Sequence, residues 1–356
     1  MQAPNRPPVG AIVVTAPVRV ADAGGWTDTW FAETGAVCSV AVGPGVEITL
    51  QPSLRSAPGE TIGRSTPTLH LIDFESSVPL DEAGRSALRH QHPVLAEIVQ
   101  THLSIVGSIE SISIRSAVPA GSSLGTSAAV GVALIAALQA AQGLEPAPAE
   151  LAKLAHEAET NAGLQAGVQD HVAAAFGGIS RIDVTYPSFE RAPIIAPDTT
   201  WAWLSSGLRT VFLGRHDSST IHRLVIDRLE NSGVGPASPE MCALRAAASA
   251  AADALQTDNR RAYGQALLRT VDAQRRLHPQ LISEPAQRLI DLAVSMDGAA
   301  KVNGAGGGGG TVTLLAPEAE AVRNEFDRRL SALVGSIPGA RLLALRPSPF
   351  GVLIRR

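Results

Sequence analysis

The chain has 356 residues, of which 45% are hydrophobic and 17% charged, and this globular composition excludes intrinsic disorder. A formal net charge of −4 gives no general attraction to nucleic acid or anionic membranes, so an anionic ligand must be held by local groups. Two cysteines, Cys38 and Cys242, indicate neither a disulfide framework nor a zinc site, and they fit a reducing cytoplasm. The Pro-rich start does not resemble a signal peptide, and the apolar stretch Ala128–Ala141 is too short to span a bilayer.

The first half of the chain alternates β-rich runs with helical patterns. The pattern of apolar, Gly and Pro residues predicts a strand at Ala11–Val20, a β-rich run at Val37–Leu50, a surface loop at Pro52–Thr68, a short amphipathic helix at His90–His102 and a strand at Ile112–Val118. A Gly/Ser segment then opens an Ala-rich helix, and a second helix follows at Pro146–Asn161.

The second half continues with a strand at Ile179–Tyr186 and a Pro-rich crossing at Pro187–Thr200. Its remaining elements are predicted to be a strand at Arg209–Leu213, helices near 220–230, 240–270 and 284–296, a strand at Thr311–Leu315, a helix near 317–334 and a final strand near 341–346. Strands followed by helices in both halves predict an α+β fold rather than a regular βαβ array.

The strongest local motif runs from Val118 through Pro119-Ala-Gly-Ser-Ser-Leu-Gly-Thr-Ser to Ala129. Its glycines allow the backbone to approach a ligand, and the following helix offers unpaired N–H groups and a positive dipole end. Such a segment suits a phosphate group, and its hydroxyls can ligate magnesium. The alternative is an ordinary loop with a Ser N-cap.

A second glycine-rich motif, Lys301–Gly310, precedes a predicted strand. A dinucleotide-binding fingerprint would need a helix after the glycines, and a Walker P-loop would need Gly-Lys-Ser/Thr, so neither is present. The segment is either a flexible linker or a loop pressed against a ligand or another backbone.

A third motif, Ala16–Asp28, combines an Arg in an apolar strand with a Gly-Gly-Trp-Thr-Asp turn. If Arg19 is buried, it needs a partner for its charge. Asp28 could accept hydrogen bonds from the hydroxyl groups of a ligand. The alternative is an edge-strand Arg and an Asp that stabilises its turn.

Taken together and in this order, the three motifs resemble those of the GHMP kinase superfamily, which includes galactokinase, homoserine kinase, mevalonate kinase and phosphomevalonate kinase. The resemblance extends from residue 16 to beyond residue 310. It implies a two-lobed α+β fold, with a ribosomal-protein-type N-terminal lobe at residues 1–195 that binds ATP and a ferredoxin-like C-terminal lobe at residues 196–356.

The same resemblance implies a helix-borne Glu that binds Mg²⁺ and an Asp about eleven residues later that acts as a base. Glu159 and Asp170 have that spacing. Glu157 lies about 200° around the helix from Glu159, so the two cannot face one metal ion. Glu159 is therefore the predicted magnesium ligand, and Glu157 is predicted to face solvent.

The roles implied for the other site residues follow the motifs. Arg19 would sit beside Asp170, and Ser127, or alternatively Thr126, would join Glu159 on the metal. Residues implied to bind the ATP phosphates are Pro119, Gly121, Ser122, Ser123, Gly125, Thr126 and Ser127. Residues implied to bind the substrate are Gly25, Trp26, Asp28, Gly306 and Gly307.

Within the superfamily, the Gly-Gly-Trp-Thr-Asp turn is similar to that of the fucokinase and heptose-phosphate kinase branch, as are Gln169-Asp-His and Leu213–Ser219. This similarity implies a cytoplasmic enzyme that transfers phosphate from ATP, with Mg²⁺, to the anomeric hydroxyl of a sugar or sugar phosphate. The alternatives are a GHMP kinase with a non-sugar acceptor, or an inactive sugar- or nucleotide-binding sensor. We expect neither nucleic acid nor membrane as a partner, and either a monomer or a homodimer.

Overall fold

Two β-sheets organise the part of the chain that the computed structural model describes, which is residues 10–53, 66–164, 167–216, 218–232 and 235–356. Most of the predicted loop Pro52–Thr68 lies outside these residues, as do Gln165, Ala166 and Asp217. Within the described ranges, no helix is long and apolar enough to cross a membrane.

The larger sheet has nine strands built around the long antiparallel pair β1 and β2. Its strands are β1 (Ile12–Ala23), β2 (Thr34–Pro52), β3 (Thr68–Leu71), β4 (Ser76–Pro79), β5 (Ile109–Ser116), β6 (Ile179–Thr185), β7 (Ser188–Pro193), β12 (Arg346–Pro347) and β13 (Leu353–Arg355). β1 is buried along nearly its whole length, because helices cover both of its faces. Its apolar residues therefore run continuously instead of alternating.

The smaller sheet contains β8 (Leu208–Gly214), β9 (Ala299–Val302), β10 (Gly310–Leu315) and β11 (Arg341–Leu343). Its order is β11-β8-β10-β9, and every pairing is antiparallel. Numbered from its own first strand, this order is 4-1-3-2, which is the ferredoxin-like arrangement predicted for the C-terminal lobe.

Twelve helices pack on these sheets in the described ranges. They are α1 (Glu82–Gln91), α2 (Pro93–Thr101), α3 (Leu103–Val106), α4 (Thr126–Ala141), α5 (Pro148–Asn161), α6 (Gln169–Phe176), α7 (Asp198–Gly207), α8 (Ser218–Ser232), α9 (Pro239–Gln256), α10 (Arg260–Leu277), α11 (Glu284–Ser295) and α12 (Glu320–Gly335). α4 is apolar on all sides because it lies in the core between β1, β2, α5 and α6. This central position fixes the N-terminus of α4 at the candidate site.

The α+β fold was predicted correctly, but several elements differ locally from the prediction. The predicted helix His90–His102 is two helices, because Pro93 begins a new helix after His92. The Pro-rich crossing contains the edge strand β7, where prolines are tolerated. The Gly run follows a strand, β9, which was missed because it has only four residues.

The chain returns to the first sheet at its C-terminal end. β12 pairs with β2, β13 pairs with β1, and Val352 N–H donates to the Ala175 carbonyl at the end of α6. These last residues therefore support the larger sheet, whereas the smaller sheet begins at Leu208 with β8. The domain boundary at 195/196 stays a prediction.

The buried position of α4 leads to a stability prediction. Leu134 is fully buried on α4, whereas Leu144, just beyond it, is about half exposed at 50%. Leu134→Ala should lower the free energy of unfolding by about 2–5 kcal/mol, since it leaves a cavity in the core. Leu144→Ala should change it by no more than about 0.5 kcal/mol. Urea unfolding measures both, and equal losses would show that α4 is not the centre of the core.

Candidate active site

A cavity of about 640 Å³ lies where the Gly/Ser loop, the Ala16–Asp28 motif at the end of β1 and the second glycine-rich motif meet. It brings together most of the predicted site residues, which come from positions up to 151 residues apart in the sequence. The predicted residues that line it are Arg19, Trp26, Asp28, Gly121, Ser122, Ser123, Gly125, Thr126, Ser127, Glu159 and Asp170.

Four predicted residues lie outside the described lining of this cavity: Pro119, Gly25, Gly306 and Gly307. A Cβ on Gly25 would meet the Asp22 carboxylate at 2.5 Å. Gly306 packs against the backbone of Leu281, and the Gly307 N–H donates to the Leu281 carbonyl at 2.8 Å. These glycines allow backbone segments to pack closely within the protein.

The Gly/Ser loop ends at the N-terminus of α4. Gly125 has φ +77° and is the N-cap residue, so Thr126 and Ser127 occupy the first helical positions. A Cβ at Gly125 would lie 2.8 Å from the carboxyl carbon of Asp170. Ser123 Oγ is buried in the loop and has no hydrogen-bond partner among the described residues. Free backbone N–H groups, the helix dipole and this hydroxyl suit a phosphate ligand.

Arg19 is buried in β1 and forms a short ion pair with the residue predicted as the base. Its Nε donates to Asp170 Oδ1 at 2.7 Å, and its Nη1 donates to the Ser123 carbonyl, also at 2.7 Å. Burial by itself lowers the pKa of Arg19, but the charges of Asp170 and Asp22 outweigh it and raise that pKa above its usual value. The guanidinium is therefore permanently charged and joins Asp170 to the Gly/Ser loop Gly121–Ser127, which we call the phosphate-type loop.

Asp28 is buried beside these groups, at the end of the Gly-Gly-Trp-Thr turn. It accepts hydrogen bonds from the backbone N–H of Gln169 at 3.2 Å and from its side-chain amide at 3.4 Å. Burial, and then the negative charge of Asp170, raise the pKa of Asp28 to about 6. Asp28 is therefore a carboxylate whose charge the free protein does not fully compensate.

The two candidate glutamates of α5 face in opposite directions, as the helix geometry predicts. Glu157 is exposed and lies 3.7 Å from Lys153, whereas Glu159 is buried and lines the cavity. Burial opposes the charge of Glu159, but the contacts with His171 and Ser127 outweigh it and lower the pKa of this carboxyl group. Ser127 and Glu159 therefore lie close together at the cavity.

His171, which directly follows Asp170 in α6, lies next to Glu159. Its Nε2 is 2.9 Å from Glu159 Oε2, and its ring packs edge-on against His156. The described residues contain no group of three or more His, Cys, Asp or Glu side chains that could hold a metal ion. One carboxylate and one hydroxyl suit Mg²⁺, which takes its remaining oxygen ligands from water and phosphates.

The second glycine-rich motif is bonded to the other two motifs. The Ala21 N–H donates to Asn303 Oδ1 at 2.9 Å, and Thr311 Oγ1 donates to the Ser122 carbonyl at 2.8 Å. Gly304, with φ +60°, donates its N–H to Asp22. Since these bonds join the second sheet to β1 and the phosphate-type loop, the motif is not a flexible linker.

Sequence reasoning missed several residues of the site. Asp22 and Lys301 form a buried ion pair beside Arg19, and the rarity of charged residues in apolar strands could have indicated both. His222, Arg223 and Ile226 of α8 also line the cavity. No local signal marks these three, because only the packing of the two lobes brings α8 there.

Residues 92–178, which include the Gly/Ser loop, Glu159 and Asp170, match the family described as GHMP kinases N terminal domain. Residues 92–178 are thus similar to a GHMP kinase N-terminal domain. A segment of 85 residues is 41% identical to a mevalonate kinase from Thermococcus sibiricus, and it covers 24% of this chain and 25% of that enzyme. The curated relative is thus matched over about a quarter of its length.

Solved structures show that the whole chain has the GHMP kinase fold. The mevalonate kinase of Methanococcus jannaschii superposes with a TM-score of 0.70 at 18% identity, covering 96% of this chain and 100% of that one. A D-glycero-D-manno-heptose 1-phosphate kinase from Bacteroides thetaiotaomicron gives a TM-score of 0.66 at 18% identity, covering 97% and 99%. The predicted superfamily resemblance is thereby confirmed at the level of domain and fold.

The raised pKa of Asp28 predicts a pH-dependent stability difference. Its value of about 6 in the folded protein exceeds the ordinary 3.8, so the folded state holds this proton more tightly. Stability should therefore fall as the pH rises from about 4 to 6, by up to about 3 kcal/mol. Asp28→Asn, which keeps one oxygen acceptor, should be more stable than wild type above pH 6, and the difference should shrink towards pH 4.

Urea unfolding at several pH values measures this difference. Asp272→Asn, which makes the same change at an exposed Asp of α10, is the control. If Asp28→Asn does not raise the free energy of unfolding at pH 7.5, the inference that the charge of Asp28 is incompletely compensated is wrong.

Proposed function

We propose that the protein is an ATP-dependent kinase that phosphorylates the hydroxyl group of a small molecule, with a sugar as the acceptor and its anomeric hydroxyl as the reacting group. The observation that supports this most directly is the Arg19–Asp170 ion pair at the N-terminus of α4, beside the buried carboxylate of Asp28. It combines a proton acceptor, a fixed positive charge and a phosphate-type loop in one cavity.

The loop at Gly121–Ser127 would hold the ATP phosphates through its backbone N–H groups and the Ser123 hydroxyl. Ser127 and Glu159 would hold Mg²⁺, which supplies charge neutralisation to the phosphates when it is bound. Thr126 is the alternative hydroxyl, and it lies 3.4 Å from Ser122. The contact between Ser127 and Glu159 favours Ser127.

In the proposed reaction, the acceptor oxygen forms a bond to the γ-phosphorus while the bond from that phosphorus to the bridging oxygen breaks, and ADP leaves. Asp170 accepts the proton of the acceptor hydroxyl. Arg19 holds Asp170 in position through its hydrogen bond and stabilises charge on the transferred group. Both roles fit the 2.7 Å contact between the two side chains.

Hydroxyl recognition is assigned to Asp28 and Trp26. The Trp26 ring lines the cavity, and its buried Nε1–H has no hydrogen-bond partner among the described residues. Asp28 can accept hydrogen bonds from the acceptor, and Trp26 can donate one. A polyhydroxylated ligand satisfies both groups at once, which supports a sugar over an acceptor with fewer hydroxyls.

A non-sugar acceptor such as mevalonate is the second candidate, favoured by the segment shared with a mevalonate kinase. A binding sensor without catalysis is disfavoured, because Arg19, Glu159 and Asp170 all line the cavity. We also infer a cytoplasmic location, in keeping with two free cysteines.

The proposal is tested by measuring ADP release with Mg²⁺-ATP against fucose, galactose, arabinose, uronic acids, heptose 7-phosphate and mevalonate. One sugar or sugar phosphate should stimulate ADP release strongly. Asp170→Asn should abolish turnover with that acceptor, because no base remains, while ATP affinity persists. Stimulation by mevalonate alone would reject the sugar assignment, and a near wild-type rate for Asp170→Asn would reject the base.

The metal assignment is tested with matched glutamate variants. Glu159→Gln should weaken Mg²⁺-dependent nucleotide binding by at least about tenfold, since a hard cation loses a carboxylate ligand. Glu157→Gln is the control on the exposed face of the same helix and should behave as wild type. Binding of Mn²⁺ in the presence of ADP, followed by electron paramagnetic resonance, gives a readout that is independent of turnover. Equal effects of the two changes would overturn the choice of Glu159.

A further inference from the structure

The strand β1 contains an irregularity that places a carboxylate inside the protein. Its pairing with β2 shifts register between Val20 and Ala23, and Ala21 has φ +54°. A bulge of this kind redirects the side chains that follow it. Asp22 is consequently fully buried in a strand whose other buried side chains are apolar, apart from Arg19.

The partner of Asp22 comes from the other sheet. Lys301 of β9 is also fully buried, and its Nζ lies 3.1 Å from Asp22 Oδ1. This ammonium group also donates to the carbonyl of Val302. Because β1 belongs to the larger sheet and β9 to the smaller one, the ion pair spans the junction of the two lobes.

Asp22 also faces the guanidinium that contacts the proposed base. Arg19 Nη1 lies 3.8 Å from Asp22 Oδ1, while Arg19 Nε lies 2.7 Å from Asp170 Oδ1. Arg19 is thus held between two carboxylates, and Asp22 is held between two cations. The backbone N–H of Gly304 adds hydrogen bonds to both oxygens of Asp22, at 3.1 and 3.3 Å.

The energetics of this cluster depend on both cations. Burial opposes the charge of Asp22, but Arg19 and Lys301 outweigh it and lower the pKa of this carboxyl group. Burial also lowers the pKa of Lys301, and Asp22 offsets part of that effect. Without Asp22, the guanidinium and the ammonium would face each other uncompensated in the protein interior.

We propose that Asp22 and Lys301 are positioning residues for the phosphoryl-transfer reaction, which fix the Arg19 guanidinium against Asp170 and the phosphate-type loop. The inference rests on the proposed function. Lys301 satisfies part of the charge of Asp22, so that Asp22 anchors one side of Arg19 without drawing it away from Asp170. The Asp22–Lys301 pair also ties the position of Arg19 to the docking of the second lobe, through β9 and Gly304.

A purely structural ion pair would make a different prediction from a positioning pair. Removing one partner of a buried pair leaves an uncompensated charge and is strongly destabilising, whereas replacing both by neutral side chains is often nearly neutral. If the pair is purely structural, the double variant should therefore recover both stability and activity. If the pair positions Arg19, the double variant should recover stability but not activity, because Arg19 has still lost its second carboxylate.

The experiment compares Asp22→Asn, Lys301→Met and the double variant Asp22→Asn/Lys301→Met with wild type. Each single change should lower Tm by at least about 5 °C, and the double variant should recover most of that loss. Its kcat should nevertheless stay at least about tenfold below wild type, while KM for ATP and for the acceptor changes little. Recovery of both Tm and kcat in the double variant would overturn the inference.

Two further variants keep the test decisive. Lys301→Gln retains a hydrogen-bond donor for Asp22 but removes the cation that competes with Arg19 for this carboxylate. Arg19 should therefore shift towards Asp22, and kcat should fall while the protein stays folded. If the double variant does not fold, Lys301→Gln takes its place in the test. A kcat of Lys301→Gln within about twofold of wild type would then overturn the inference. Arg209→Met/Asp327→Asn removes an ion pair outside the cavity lining and should leave kcat unchanged.

The same measurements separate this inference from the proposed function. If wild type releases no ADP with any acceptor, the proposed function fails, whatever the stability data show. If wild type is active and the folded double variant is equally active, only the positioning role is rejected.

Discussion

A buried guanidinium must be neutralised by groups that cannot move away, and at Arg19 this requirement organises the site. Arg19 lies in the most buried strand of the larger sheet, where an unpaired charge would be very costly. The structure meets the requirement with two carboxylates and a loop carbonyl. Asp170 and the Ser123 carbonyl belong to two other segments of the chain, so satisfying Arg19 also brings those segments to β1.

Close backbone approach is the second requirement, and glycine provides it at two positions that touch this cluster. Gly125 leaves room for the Asp170 carboxyl group, and its φ of +77° is one that other residues rarely adopt. Gly304 approaches Ser123 and the end of Arg19, and its N–H reaches Asp22. A side chain at either position would push apart groups whose charges must stay in contact.

In the absence of a ligand, the protein does not neutralise all of the negative charge in the cavity. Asp28 is the clearest case, because burial and the neighbouring Asp170 both disfavour its ionised form. Ser123 and Trp26 add buried polar groups without protein partners in the described part of the chain. Such deficits lower stability, and a bound ligand with phosphate and hydroxyl groups would remove them. The uncompensated carboxylate and the unpaired buried groups therefore support a binding function for the cavity.

The sequence by itself determined the α+β class, the central helix after the Gly/Ser loop, the three motifs and the different faces of α5 on which Glu157 and Glu159 lie. All of these rest on local spacing, since helical periodicity and glycine placement act over a few residues. Only the tertiary structure decided that Asp22 meets Lys301, that His171 meets Glu159, that α8 lines the cavity, and that Gly306 and Gly307 pack against the protein itself. These contacts depend on a strand bulge and on the docking of two lobes. Because both bring together residues distant in sequence, no local pattern of residues could specify them.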